Sequence, residues 1–184
     1  MRITGGVAKG LPIKVPVKYQ IRPTTDRVRE AIFSMLMSRA SRWSRMLDLY
    51  AGTGALGIEA LSRDAEWTDF VDQEPRCCDI IKQNLAKAGF AQQAHVYCCS
   101  VSKALTFLEG SYDIIFIDPP YSDLAIGNLL MQLENSTYLH EESLIVIPHA
   151  SRSPLASDYG RLQVIKERRH GDTCISIYKR EDNN

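Results

Sequence analysis

Four consecutive residues carry the plainest chemistry in this chain: Asp118, Pro119, Pro120 and Tyr121, within "YDIIFIDPPYSD". The apolar run before them reads as a buried strand. Proline has no N–H and cannot continue a sheet ladder, so the strand must stop there on a carboxylate and a rigid backbone. The Asp118 side chain and the Pro119 carbonyl are both acceptors, and an amino group on an aromatic ring has two N–H bonds to donate. Tyr121 offers a face for such a ring, and stacking of a base on an aromatic contributes on the order of 1–3 kcal/mol. The four residues together suit a planar, amine-bearing substrate; the plain alternative is an ordinary strand-to-loop exit.

A second group lies in "DLYAGTGALGIEA", where Gly52, Gly54 and Gly57 fit G-x-G-x-x-G. Glycines there let the backbone approach a ligand, and the following helix N-terminus points N–H groups at it. Asp48 stands four residues before the first glycine, with Tyr50 and Thr53 in the loop. A carboxylate at that point repels a pyrophosphate and suits a cationic amino group. S-adenosylmethionine (SAM) has that group, a sulfonium and no phosphate. A SAM loop is the expected use, with Asp48, Tyr50, Gly52, Thr53, Gly54 and Gly57 as its residues. A nicotinamide or flavin loop and a purely structural turn are the competing readings.

Asp72, in "FVDQE", follows the next strand and is preferred to Glu74 because it falls directly at the strand end. There an acid accepts hydrogen bonds from ribose hydroxyls; a solvent-exposed strand terminus is the alternative. Ser100, in "CCSVSKA", is placed to touch an adenine edge or to serve as a turn serine.

These positions require strands to hold them. From residue 46 the pattern alternates strand and helix: "RMLDLY", "GALGIEALSRD", "WTDFVD", "PRCCDIIKQNLAKAG", "AHVYCCS", "VSKALTFLE", "YDIIFID", "LAIGNLLMQLEN" and "SLIVIPH". The tail "RLQVIKERRHGDTCISIYKR" reads as two strands about Gly171-Asp172. The expectation is an α/β chain with a seven-stranded, mostly parallel sheet and helices on both faces. Ligands in such sheets bind beyond the carboxyl ends of the strands, where the candidate residues lie. Ahead of it, residues 2–17 suggest a short hairpin or arm and "QIRP" a connector. "TTDRVREAIFSMLMSRA" reads as a helix, capped by Thr24 or Thr25, with Val28, Ile32, Met35 and Leu36 as its apolar stripe. The chain therefore divides into an arm and helix, 1–45, and a main domain, 46–184.

The 184 residues carry no net charge, but unevenly. Ten Lys/Arg against Asp26 and Glu30 give residues 1–45 a charge of +8, and the remainder carries −8. A basic arm on an acidic body suits a polyanion; a solvated basic face is the bland alternative. Arg22, Arg27 and Arg29 lie at and after the connector, off the apolar stripe. Cys77, Cys78, Cys98, Cys99 and Cys174 match no zinc spacing, so no metal is expected and the thiols read as small buried hydrophobes. No apolar run approaches the ~20 residues of a membrane span, and a signal-peptide core is absent, so a cytosolic protein is expected.

D-x-x-x-G-x-G-x-x-G followed by D-P-P-Y resembles SAM-dependent methyltransferases acting on exocyclic amines of nucleobases. With "RITGG…KG", "RPTTDRVREAIFSML" and "LDLYAGTGALGIEALSR", the chain resembles the RsmD-type family of bacterial 16S ribosomal RNA guanine-N2 methyltransferases. The resemblance implies a Rossmann-like class I methyltransferase fold and methyl transfer from SAM to a guanine N2 in small-subunit rRNA. It implies that Asp48, Gly52 and Gly54 line the methionine end of SAM and that Asp72 holds the ribose. Asp118, Pro119, Pro120 and Tyr121 then form the guanine pocket, and Arg22, Arg27 and Arg29 face the RNA of the small ribosomal subunit. A monomer is expected. Two departures stand out: Ser100, where such enzymes often carry Asp or Asn, and Pro148-His149 at the fifth strand end, where an acid is frequent. DNA adenine-N6 methylation and a non-catalytic SAM-binding assembly factor are the rival functions. In the expected mechanism Asp118 is ionised near neutrality, since a free Asp titrates at about 3.9. It either takes the departing proton or orients the amine, and the target base must leave its stack.

Overall fold

The computed structural model describes residues 1–16, 24–40, 42–119 and 126–181. Arg22, Pro120 and Tyr121 lie outside the described residues.

Helix α1 spans Asp26–Met37 and starts on Thr25, whose hydroxyl accepts from the Val28 N–H. The alternation then runs β1 (Arg45–Leu49), α2 (Ala55–Ser62), β2 (Trp67–Asp72), α3 (Pro75–Ala88), β3 (Ala94–Cys98), α4 (Val101–Ala104), β4 (Tyr112–Ile117), α5 (Ile126–Glu134) and β5 (Leu139–Ala150). Proline opens α3 and Gly89, left-handed at φ 81, closes it, each where its geometry costs least. The chain ends on β6 (Asp158–Tyr159), β7 (Leu162–His170) and β8 (Thr173–Arg180).

One eight-stranded sheet results, in the order β3-β2-β1-β4-β5-β8-β7-β6. The strands from β3 through β5 are parallel, and β8, β7 and β6 add antiparallel. The seven expected strands are present; the eighth, β6, is two residues long and too short to show a period in sequence. It pairs only with Gln163 and Leu162 at the start of β7. Strand β5 is longer than "SLIVIPH", because a register shift against β4 adds Leu139–Glu142 ahead of it.

The β4 side chains alternate faces as a strand period requires. Ile114 and Phe116 join a core with Ile32, Phe33, Leu36, Ile58 and Phe70, while Ile115 and Ile117 join one with Leu105, Leu130, Leu133 and Tyr178. Helices thus cover both faces. Ile3 and Ile13 of the N-terminal arm enter the first of these cores. Among its described residues the arm is closed by an isolated antiparallel bridge, Arg2 to Pro12. No helix among the described residues is long and apolar enough to cross a membrane.

Strand order reverses between β1 and β4, the neighbours at the centre of the parallel part. A crevice beyond the carboxyl ends of these strands is where doubly wound sheets bind ligands.

Candidate active site

Asp48, Asp72 and Asp118 stand at or just past the ends of β1, β2 and β4. Asp48 Oδ2 accepts from the Gly57 N–H at 2.9 Å, which ties the strand end to the first turn of α2. Asp72 Oδ2 accepts from the Gly52 N–H at 2.8 Å and its Oδ1 from the Glu74 N–H at 2.9 Å. Asp118 Oδ2 accepts from the Thr24 hydroxyl. None of the three forms an ion pair among the described residues.

The surroundings of Asp48 and Asp118 resist charge. Asp48 is buried, and its pKa is raised well above the ordinary value; burial is the main cause, opposed by the Gly57 hydrogen bond and reinforced by the Asp118 and Asp72 carboxylates. Burial also pushes Asp118 up to about 6, against the lowering effect of the Thr24 hydroxyl. The free-Asp value assumed for Asp118 is therefore too low, while the expectation that it is ionised near neutrality is compatible with a pKa of about 6. Three carboxylates with no counter-cation among the described residues are the setting in which a cationic ligand gains most.

The loop between β1 and α2 is built to approach a ligand. Tyr50 has φ 59, a left-handed conformation that non-glycine residues rarely adopt and that clusters at binding sites. Gly52 follows at φ 56, and a Cβ added there would meet nothing nearer than the Tyr50 carbonyl oxygen at 4.0 Å. Gly54 begins α2 in the same left-handed region, φ 75. Gly57 serves packing instead: a Cβ there would lie 2.3 Å from Phe70 Cε1. Thr53 is buried and presents its carbonyl to Asn84 Nδ2 at 3.0 Å, so α3 holds the loop in place.

Ser100 is the N-cap of α4: its hydroxyl accepts from the Lys103 N–H and lies 3.1 Å from Ser102 Oγ. That is the turn role, one of the two expected for it. Pro119 is buried directly after β4. His149, at the end of β5, is occupied by Ser176 Oγ at 2.9 Å. His149, Glu167 and Cys174 bring ligand-capable atoms within 4.8 Å of one another. Ser176 donates to Glu167 at 3.0 Å, so this group is already hydrogen-bonded without a metal.

Of the arginines assigned to RNA, Arg27 is exposed. Arg29 is corrected. It is wholly buried, with Nη1 on the Thr24 carbonyl at 2.8 Å, Nη2 on Asp26 and on the Arg2 carbonyl, and Nε 3.7 Å from Glu59. Glu59 is fully buried and also receives the Thr4 N–H, the Thr4 hydroxyl and Arg63. Arg29 is an internal bolt between arm, α1 and α2. The signal for it was present: Arg29 lies four residues before buried Phe33, one turn up the same helix face. Thr24 was not singled out as a site residue, although the cap needs only one of the paired threonines.

The family described as "Conserved hypothetical protein 95" matches residues 1–179. "Putative rRNA methyltransferase YlbH" of Bacillus subtilis is 36% identical over 183 residues, 98% of this chain and 99% of that protein. "Ribosomal RNA small subunit methyltransferase D" of Escherichia coli is 33% identical over 186 residues, covering 98% and 90%. The solved "Putative methyltransferase yhhF from Escherichia coli" superposes with a TM-score of 0.84 at 29% identity, covering 100% of this chain and 99% of that one. The fold is thus that of a class I methyltransferase, and the protein belongs to the Conserved hypothetical protein 95 family, the RsmD-type family that its sequence resembles.

Proposed function

We propose that this protein is a SAM-dependent rRNA methyltransferase that places a methyl on the exocyclic N2 amine of a guanine in the small-subunit RNA. The observation that carries the reading is the convergence of Asp48, Asp72 and Asp118, unpaired with any cation among the described residues, around a left-handed glycine loop at the strand-order reversal. Relatives named as rRNA methyltransferases over nearly the full chain support the substrate class.

The donor set fits SAM: uncompensated carboxylates suit its ammonium and sulfonium charges, and the open space at Gly52 admits close approach. Asp48, Gly52 and Gly54 would hold the methionine end and Asp72 the ribose. SAM supplies a methyl already activated by the sulfonium. What remains for the protein is to bring the amine into line with it.

The lone pair of guanine N2 is delocalised into the ring, which makes it a weak nucleophile. Asp118 and the Pro119 carbonyl accept its two N–H bonds and draw the lone pair toward the nitrogen. With a pKa of about 6, Asp118 is mostly ionised at pH 7.5 and near enough to neutrality to accept the departing proton. Tyr121 would stack on the extruded base, and Arg22 together with exposed Arg27 would neutralise phosphates.

The test is incubation with labelled SAM and small ribosomal subunits lacking the modification, followed by mapping of the methylated nucleotide. Label on a guanine N2 is expected. Label on adenine N6 of DNA, with none on rRNA, would replace the reading with the rival chemistry.

A further inference from the structure

We infer that Thr24 is a positioning residue for the reaction: its hydroxyl, delivered by the start of α1, holds one oxygen of Asp118 so that the other faces the acceptor amine. The inference rests on the role proposed above for Asp118.

Adjacent threonines divide two tasks. Thr25 caps α1 through its contact with the Val28 N–H. The Thr24 hydroxyl is not needed for the cap and donates instead to Asp118 Oδ2, 94 residues away in sequence. Among the described residues, Asp118 Oδ1 has no hydrogen-bond partner. A carboxylate at a strand end can rotate about its last bond. One donor fixed on Oδ2 sets its plane and leaves Oδ1 as the acceptor for substrate.

Thr24 is itself held from the opposite side. Its carbonyl accepts from Arg29 Nη1 at 2.8 Å. Arg29 is buried, ion-paired to Asp26 and Glu59, and bonded to the Arg2 carbonyl. Glu59 belongs to α2, the helix that opens on the glycine loop. The hydroxyl is therefore referenced to the same rigid elements as the cofactor loop.

The donor is also of the right kind. A lysine or arginine in this place would pair with the carboxylate and compete with a cationic cofactor. A neutral hydroxyl orients it and still favours its ionised form. Among the described residues, the ionisable groups facing this cluster are Asp48 on β1, Asp72 on β2, which acts on Asp48, and the Arg29 guanidinium of α1, which lies on the Thr24 carbonyl. Loss of the hydroxyl leaves burial unopposed, so the acid limb of the reaction moves to higher pH.

Single-turnover methylation is measured from pH 5 to 8.5 for wild type, Thr24→Val, Thr24→Ser and Asp118→Asn, with SAM affinity by calorimetry and melting by circular dichroism. Thr24→Val is expected to react roughly 10- to 100-fold more slowly at pH 7, as for a misplaced catalytic group. Its acid-limb midpoint should rise, with SAM affinity within about two-fold of wild type. Thr24→Ser should restore both rate and midpoint. If Thr24→Val melts early, Thr24→Ala is read in its place. A hydroxyl-free variant with wild-type rate and midpoint overturns the inference. So does a slow variant with an unmoved midpoint that serine does not rescue, since that is a structural effect. Asp118→Asn separates the two levels: if it methylates normally, the active-site reading itself falls. If it is inactive while Thr24→Val is normal, only the role of Thr24 falls.

Discussion

Ionised Asp48 is costly to the folded protein. Its pKa is raised by burial, so the folded state binds the proton more tightly than the unfolded chain does. Stability contributed this way is present below the unfolded value of about 3.9 and is lost as pH rises through the raised one. Asp48→Asn keeps an acceptor for the Gly57 N–H and removes the charge. It should raise the Tm of the ligand-free protein at pH 7.5 by about 2–4 °C per kcal/mol recovered. The gain should vanish toward pH 4, and SAM affinity should fall; thermal melts at both pH values check it. Asp72 differs, because its two oxygens already accept the N–H groups of Gly52 and Glu74. Asp72→Ala should weaken SAM binding by roughly 1–3 kcal/mol, the range for a lost charged hydrogen bond and an unpaired donor, as read by calorimetry. The strand-end positions of Asp48, Asp72 and Asp118 were legible because Asp72 and Asp118 close apolar stretches and Asp48 stands four residues before Gly52. Ser100 follows one too, but a neighbouring helix start claims its hydroxyl, and which partner wins a serine is decided by three-dimensional context. Arg29 was misread because its partner, Glu59, lies thirty residues away in sequence on another helix.

At the level of elements, α2 sits on β2 through the bare face of Gly57. A methyl there would fall 2.3 Å from Phe70 Cε1 and 2.8 Å from Thr68 Cγ2, both in the sheet core. Gly57→Ala should cost about 1–3 kcal/mol in urea unfolding, the usual range for overpacking, and lower SAM affinity as the loop shifts. The arm is bolted differently. Arg29→Ala leaves Glu59 buried with a partner missing and should cost about 3–5 kcal/mol. Neighbouring Arg27→Ala should leave the unfolding midpoint unchanged within error. Helices and strands were readable because apolar periods of 3.6 and 2 survive in the sequence. The bulge that lengthens β5 was not, since it depends on the register that β4 offers.

Across the whole molecule, the basic arm and the acidic body are packed into one structure whose site is ringed by carboxylates. Polyanion binding must then come from exposed basic groups set apart from that ring. Arg22→Ala with Arg27→Ala should weaken RNA binding, spare SAM binding and flatten the salt slope by up to about two contacts' worth, near 0.7–0.9 each. A titration of RNA affinity against salt checks it. The far side of the sheet has a different problem. Because β6 covers only the first residues of β7, the exposed β7 stretch from Ile165 to Arg169 has no further strand beside it among the described residues. Free borders invite a second chain to add a strand. Here the invitation is withdrawn by Lys166, Glu167, Arg168 and Arg169, charges that a stacked copy would have to bring against themselves. Neutralising those four side chains should leave the fold intact and raise self-association through this border, which light scattering on wild type and variant checks.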